Sequence, residues 1–120
     1  MTKILMMLLC ALSLFAEDFI SEFEYGQMLY RDPRGVSCVS CHGETGEGKD
    51  IASYRNSKGE KVTISGSDIR FVTLEQISKS IKEGQGIMPR YFLTNKEIRT
   101  IYAYLKKVNN DDNNGSQDDK

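Results

Sequence analysis

The sequence carries a single histidine and three cysteines in 120 residues. One imidazole excludes any site that needs two from the same chain. Long apolar runs are also missing. The longest, Ile4 to Phe15, spans 12 residues, against the ~20 a helix needs to cross a bilayer, so stable membrane insertion is not expected. Neither charge sign is in excess, with 16 Lys+Arg against 17 Asp+Glu. The basic face a nucleic-acid partner requires is therefore absent. No extended apolar–polar alternation of period two is present, which argues against a substantial sheet.

The first residues have their own logic. "MTKILMMLLCALSLFA" opens with one cation, Lys3, continues through the apolar run and closes on small Ala16. This is the layout of a secretory leader, with cleavage expected between Ala16 and Glu17. Bulky Leu8 and Leu9 before Cys10 argue against a lipoprotein site. Cleavage would remove Lys3 and Cys10, leaving 15 cations against 17 acids, a net −2, and two cysteines in an oxidising, exported compartment. The expected organisation is a leader over 1–16, one domain over 17–108 and a disordered polar tail over 109–120. The tail, "NNDDNNGSQDDK", has no apolar residue. A domain this short is marginal without a staple, and a large apolar cofactor would be one.

Three helices are legible. In "DFISEFEYGQMLYRD", Asp18 is a candidate N-cap, and Phe19, Phe23, Gly26 and Tyr30 repeat at helical spacing until Pro33. Gly26 on that stripe points to close approach of another helix. In "TLEQISKSIKEG", Thr73 and Gln76 form a capping box, Leu74, Ile77 and Ile81 share a face, and Gly84 is the stop. In "TNKEIRTIYAYLKKV", Thr94 and Glu97 repeat the box, with Ile98, Ile101, Tyr102 and Leu105 as the buried face. Between Gly43 and Val72 the chain is polar and rich in Gly and Ser. "KGEKVTI" is compatible with a short turn and strand, but the expected class is all-α with long loops.

The chemistry concentrates in "GVSCVSCHGETGEG", residues 35–48, which sets Cys38, Cys41 and His42 within five positions. Three readings compete. A redox Cys-x-x-Cys pair belongs after a strand in a βαβ unit, and no such strand pattern precedes it. A structural zinc site wants four ligands, but these are the only Cys and His left after the leader, and His42 adjoins Cys41. Haem c attachment uses all three residues without remainder. The two thiols add to the porphyrin vinyl groups as thioethers, and the next residue reaches the iron. For the second axial position a methionine is the usual partner. Met28, ten residues before Cys38, reads as helix packing. Met88, 46 residues after His42 in "GQGIMPRYF", lies in a segment loosened by Gly84 and Gly86 and stiffened by Pro89. Lysine or an open position has less support.

The chain resembles the small class I c-type cytochromes, periplasmic carriers with one haem. The likeness covers about residues 23–106 and rests on "YGQMLY", "CVSCHGETGEG", "GIMP" and "EIRTIYAYLKK", in that order. It implies a cytochrome c-like all-α fold, with the first and last helices crossing and loops wrapped around one covalent haem. It also implies Cys38 and Cys41 as thioether anchors, His42 as proximal iron ligand and Met88 as distal ligand. Gly26 and Tyr30 would meet Tyr102 at the helix crossing. The implied activity is electron transport without catalysis. Expected partners are redox proteins such as a membrane quinol-oxidising complex, a terminal oxidase or a peroxidase. A haem subunit of a larger oxidase or dehydrogenase, and a gas-binding or sensory haem protein with an open distal site, are the alternatives. Many relatives have a proline soon after the motif whose carbonyl orients the histidine. Here none lies between His42 and Pro89, so a backbone carbonyl within 44–53 is expected to serve. The loop around "SYRNSKGEKVTISGSDI" matches the family weakly, and propionate contacts are not assigned to Tyr54, Arg55 or Arg70.

Overall fold

The computed structural model describes residues 2–4, in a helical turn, and 20–114. The cleavage point expected at Ala16, Cys10 and the candidate cap Asp18 lie outside the described residues. Helix α1 spans Glu22–Arg31 and is capped by Ser21, whose hydroxyl accepts from the Glu24 N–H at 3.1 Å. The cap is thus three residues later than the sequence suggested. A four-residue turn, α2 (Val39–His42), follows. Helix α3 (Leu74–Glu83) has the full Thr73–Gln76 capping box, and its end turns at Gly84 with φ +74°. Helix α4 begins at Asn95 behind the reciprocal Thr94–Glu97 bonds of 2.9 and 3.1 Å.

The core is where these helices meet. Leu29 and Tyr30 of α1, Ile77 and Ile81 of α3, Leu93, and Ile98, Ile101, Tyr104 and Leu105 of α4 form one buried cluster. Helices α1 and α4 cross at Gly26. A Cβ there would stand 2.6 Å from the Thr100 carbonyl oxygen and 2.7 Å from the Tyr104 Cβ. Rings complete the crossing, with Phe23 and Tyr30 centroids 5.2 and 5.6 Å from that of Tyr104. Tyr104 therefore fills the place expected of Tyr102. At 100° per residue the two tyrosines lie on opposite flanks of the Ile98–Ile101–Leu105 stripe, and only the packing decides which flank faces α1. Tyr102 is half-buried, with the Lys106 ammonium 5.1 Å over its ring.

The expected all-α class is wrong. Between α2 and α3 the chain forms an antiparallel hairpin, β1 (Lys49–Arg55) with β2 (Lys61–Gly66), pairing Arg55 with Lys61 and Lys49 with Gly66 and shifting register between Asp50 and Ala52. The turn is built by Asn56, whose side-chain oxygen accepts from the Lys58 and Glu60 N–H groups, and by Gly59 at φ +76°. All seven β1 residues are exposed. The strand buries no face, so it left no periodic apolar signal to read. Helix α4 runs to Asn114, past Val108, and the Asn109 amide donates to the Thr45 carbonyl at 2.9 Å.

A second tie joins the α1–α2 link to the start of α4. Arg34 donates two parallel bonds to the Glu97 carboxylate, at 2.8 and 2.9 Å, and one to the Phe92 carbonyl. Arg34 sits at φ +60°, in the left-handed region. The guanidinium, with the Thr94 N–H, holds the Glu97 carboxyl at about 2, below its ordinary 4.5.

Two outcomes follow from these contacts. Gly26→Ala, which would ordinarily stabilise a helix interior by about 1 kcal/mol, is expected to destabilise this protein by about 1–3 kcal/mol through overpacking, read as a lower urea midpoint at unchanged slope. Because the Glu97 pKa is depressed on folding, its contribution is present above pH 4.5 and is lost as pH falls toward about 2. Urea midpoints at pH 6 should therefore separate the wild type from Glu97→Gln. By pH 2 the gap should close.

Candidate functional site

The motif residues are placed by one tight turn of helix. The Cys41 and His42 N–H groups both donate to the Cys38 carbonyl, at 3.2 and 2.8 Å, and the Cys38 N–H donates to the Tyr30 carbonyl at 3.1 Å. Residues three and four apart on a helical turn share a face, so Cys38, Cys41 and His42 are presented together. The turn ends at Gly43, φ +81°, whose carbonyl accepts from the buried Tyr30 hydroxyl at 2.7 Å. Burial pushes the Tyr30 hydroxyl well above its ordinary pKa, so it stays a donor.

Cys38 and His42 open onto a cavity of about 550 Å³, whose walls include Ile69, Val72, Ile77, Ile81 and Met88. Cys41 is half-buried on the same turn but does not contribute to the lining. Met88 reaches the wall from a small reverse turn. Gln85 and Met88 exchange both backbone hydrogen bonds, at 3.1 and 2.9 Å, with Gly86 between them at φ +58°. Gly84 packs so tightly that a Cβ would lie 2.9 Å from the Met88 carbonyl oxygen. Met28 is 53 % exposed on α1 and takes no part in the cavity. It is not the core filler the sequence suggested.

The His42 ring is held by Ser67, which also lines the cavity. Its Nδ1 lies 2.7 Å from the Ser67 carbonyl oxygen. A carbonyl only accepts, so Nδ1 carries the proton and Nε2 keeps its lone pair for a ligand. The orienting carbonyl is 25 residues beyond the histidine, not within 44–53 as expected. Sequence reasoning missed Ser67 because the hairpin that delivers it was not foreseen.

The donor set discriminates among the chemistries. Burial raises the Cys38 thiol to about 11, the reverse of the lowered pKa that a reactive redox cysteine requires. Among the described residues no three His, Cys, Asp or Glu side chains converge to hold a metal ion, so a closed zinc shell is not available. One imidazole and one thioether on a largely apolar cavity, with the Cys38 thiol on its wall and Cys41 on the same turn, do fit a haem c.

This donor set is the one a c-type cytochrome domain uses. Residues 21–105 match the family described as cytochrome c oxidase, cbb3-type, subunit III, and the chain belongs to that family. No curated protein and no solved structure matches the chain. The family supports a haem c electron-carrying role and redox partners such as an oxidase complex.

The buried Tyr30–Gly43 bond has a measurable weight. Tyr30→Phe leaves the Gly43 carbonyl unpaired beside the motif and is expected to cost about 1–3 kcal/mol, measured by urea denaturation of the wild type and variant side by side.

Proposed function

We propose that the chain is an exported one-electron carrier, with one haem c joined through Cys38 and Cys41 and ligated by His42 and Met88. The observation that carries this reading is the convergence of His42 and Met88 on one cavity, with the His42 proton fixed on Nδ1 by Ser67. Haem c, when bound, supplies a ferric–ferrous couple. The chain's residues have simpler tasks. Cys38 and Cys41 tether; His42 offers Nε2; Met88 offers a soft sulfur, which favours the reduced state. Ile69, Val72, Ile77 and Ile81 exclude water, which limits rearrangement around the couple. No acid–base pair is needed, because no substrate is turned over. The leader read in residues 1–16 supports a periplasmic location.

The family match favours a second reading, a haem subunit docked in an oxidase complex. Among the described residues no helix is long and apolar enough to cross a membrane. Purification from the periplasmic and membrane fractions separates the two: a free carrier elutes alone from the soluble fraction, a docked subunit with a membrane complex.

Mass spectrometry of the protein starting at Glu17 should show the mass of one covalent haem, and an unmodified mass would sink the proposal. The ferric protein should show the weak far-red band of methionine–iron ligation. Its persistence in Met88→Ala would remove Met88 from the ligand set, and carbon monoxide binding by the unmutated protein would favour an open-site sensor.

A further inference from the structure

The two sides of the cavity are held differently. On the side of His42 the hairpin root closes by backbone. The Gly48 N–H donates to the His42 carbonyl at 2.7 Å, and Gly66 lies so close to α2 that a Cβ would overlap the Cys41 carbonyl. On the side of Met88 the strap from Gly84 to Thr94 buries little. Ile87 and Phe92 are 66 % and 87 % exposed, and Leu93 is the one buried residue of the strap. Directed bonds hold it instead. The Tyr91 N–H donates to the Ile81 carbonyl of α3 at 2.8 Å, and the Tyr91 hydroxyl donates to the Val36 carbonyl, two residues before Cys38, at 2.7 Å. The Tyr91 ring rests on Gly35, where a Cβ would stand 3.2 Å from the ring edge. Arg34 donates to the Phe92 carbonyl at 3.1 Å while Glu97 holds the same guanidinium. A left-handed backbone costs a non-glycine residue free energy and persists where its contacts hold it; at Arg34 the Asp32 carboxylate also accepts from the main-chain N–H at 3.2 Å. Residues 34–36, before the motif, thus meet residues 91 and 92, after Met88. Neither Tyr91 nor Arg34 lines the cavity.

We propose that Tyr91 and Arg34 are positioning residues that clasp the Met88 strap to the motif segment, and so set how readily Met88 leaves the distal position. The reciprocal Gln85–Met88 bonds shape the turn but tie it only to itself. The clasp ties it to the stretch of chain that ends in Cys38, so the anchoring thiol and the thioether keep one spacing. When a clasp bond is lost, a larger fraction of molecules has the strap open. The apparent affinity of an added ligand rises with that fraction. The clasp therefore separates a carrier, whose distal ligand stays in place, from a site open to small molecules. The inference rests on the proposed ligation by Met88.

The experiment uses the full haem-loaded ferric protein, with imidazole as the probe that competes with Met88. Tyr91→Phe keeps the ring on Gly35 and removes one clasp bond, and Arg34→Gln removes the other. Each should raise imidazole affinity about two- to tenfold, the range that one hydrogen bond supplies. In a Met88→Ala background the same substitutions should leave the affinity unchanged, because no methionine remains to be displaced. Ser21→Ala, which removes the α1 cap, should lower the urea midpoint without altering imidazole affinity. Should Arg34→Gln fail to fold, Tyr91→Phe carries the test. Unchanged affinity in Tyr91→Phe, an equal rise from Ser21→Ala, or a rise that persists without Met88 overturns the inference and leaves the carrier reading intact. A wild type that binds imidazole as tightly as Met88→Ala overturns the proposed ligation and the clasp together.

Discussion

The structure depends on the crossing of α1 and α4 at Gly26. Gly26 and Thr100, more than 70 residues apart, come so close that a backbone carbonyl occupies the space of a missing methyl group. Tyr104 stacks against Phe23 and Tyr30 beside that point, and Tyr30 then reaches on to the Gly43 carbonyl behind the motif turn. A line of contacts therefore runs from the helix crossing to the histidine. The Arg34–Glu97 pair fastens the same two regions at the other end of the link. With α1 and α4 fixed, α3 closes the cavity by placing Ile77 and Ile81 on the core.

The site is held by backbone more than by side chains. Met88 sits on a turn of reciprocal main-chain bonds, Cys38 donates its N–H to Tyr30, and His42 is gripped through two main-chain groups of the hairpin root. Backbone bonds survive most surface substitutions, whereas glycines at close contacts do not. The residues whose replacement would most disturb the site are therefore the featureless ones: Gly26, Gly48, Gly66 and Gly84.

Much of this was legible in the sequence where local chemistry decides the outcome. Both capping boxes, the Gly84 stop and the special status of Gly26 are readable because each involves residues within four positions, or a glycine out of place on an apolar stripe. The motif was legible because Cys38, Cys41 and His42 leave no alternative partners. What failed depended on distant packing. Tyr102 and Tyr104 lie on opposite flanks of one apolar stripe, and only the position of α1 decides which of them is buried at the crossing. The hairpin buries little: β1 has no buried face, and in β2 the alternation of Val62 and Ile64 is too short to announce a sheet, although Asn56 and Gly59 carried its turn. Ser67 as partner of His42 was hidden for that reason: its role lies in a carbonyl that every residue possesses.

The hairpin has one more consequence. A two-stranded ribbon leaves both outer edges unpaired, and unpaired edges invite pairing with other chains. Here Lys49, Asp50, Arg55 and Lys61 put charge at the strand ends, and the register shift between Asp50 and Ala52 breaks the flat line that an added strand would follow. These features act against self-association, so an element that grips the histidine from a solvent-exposed position need not make the protein sticky.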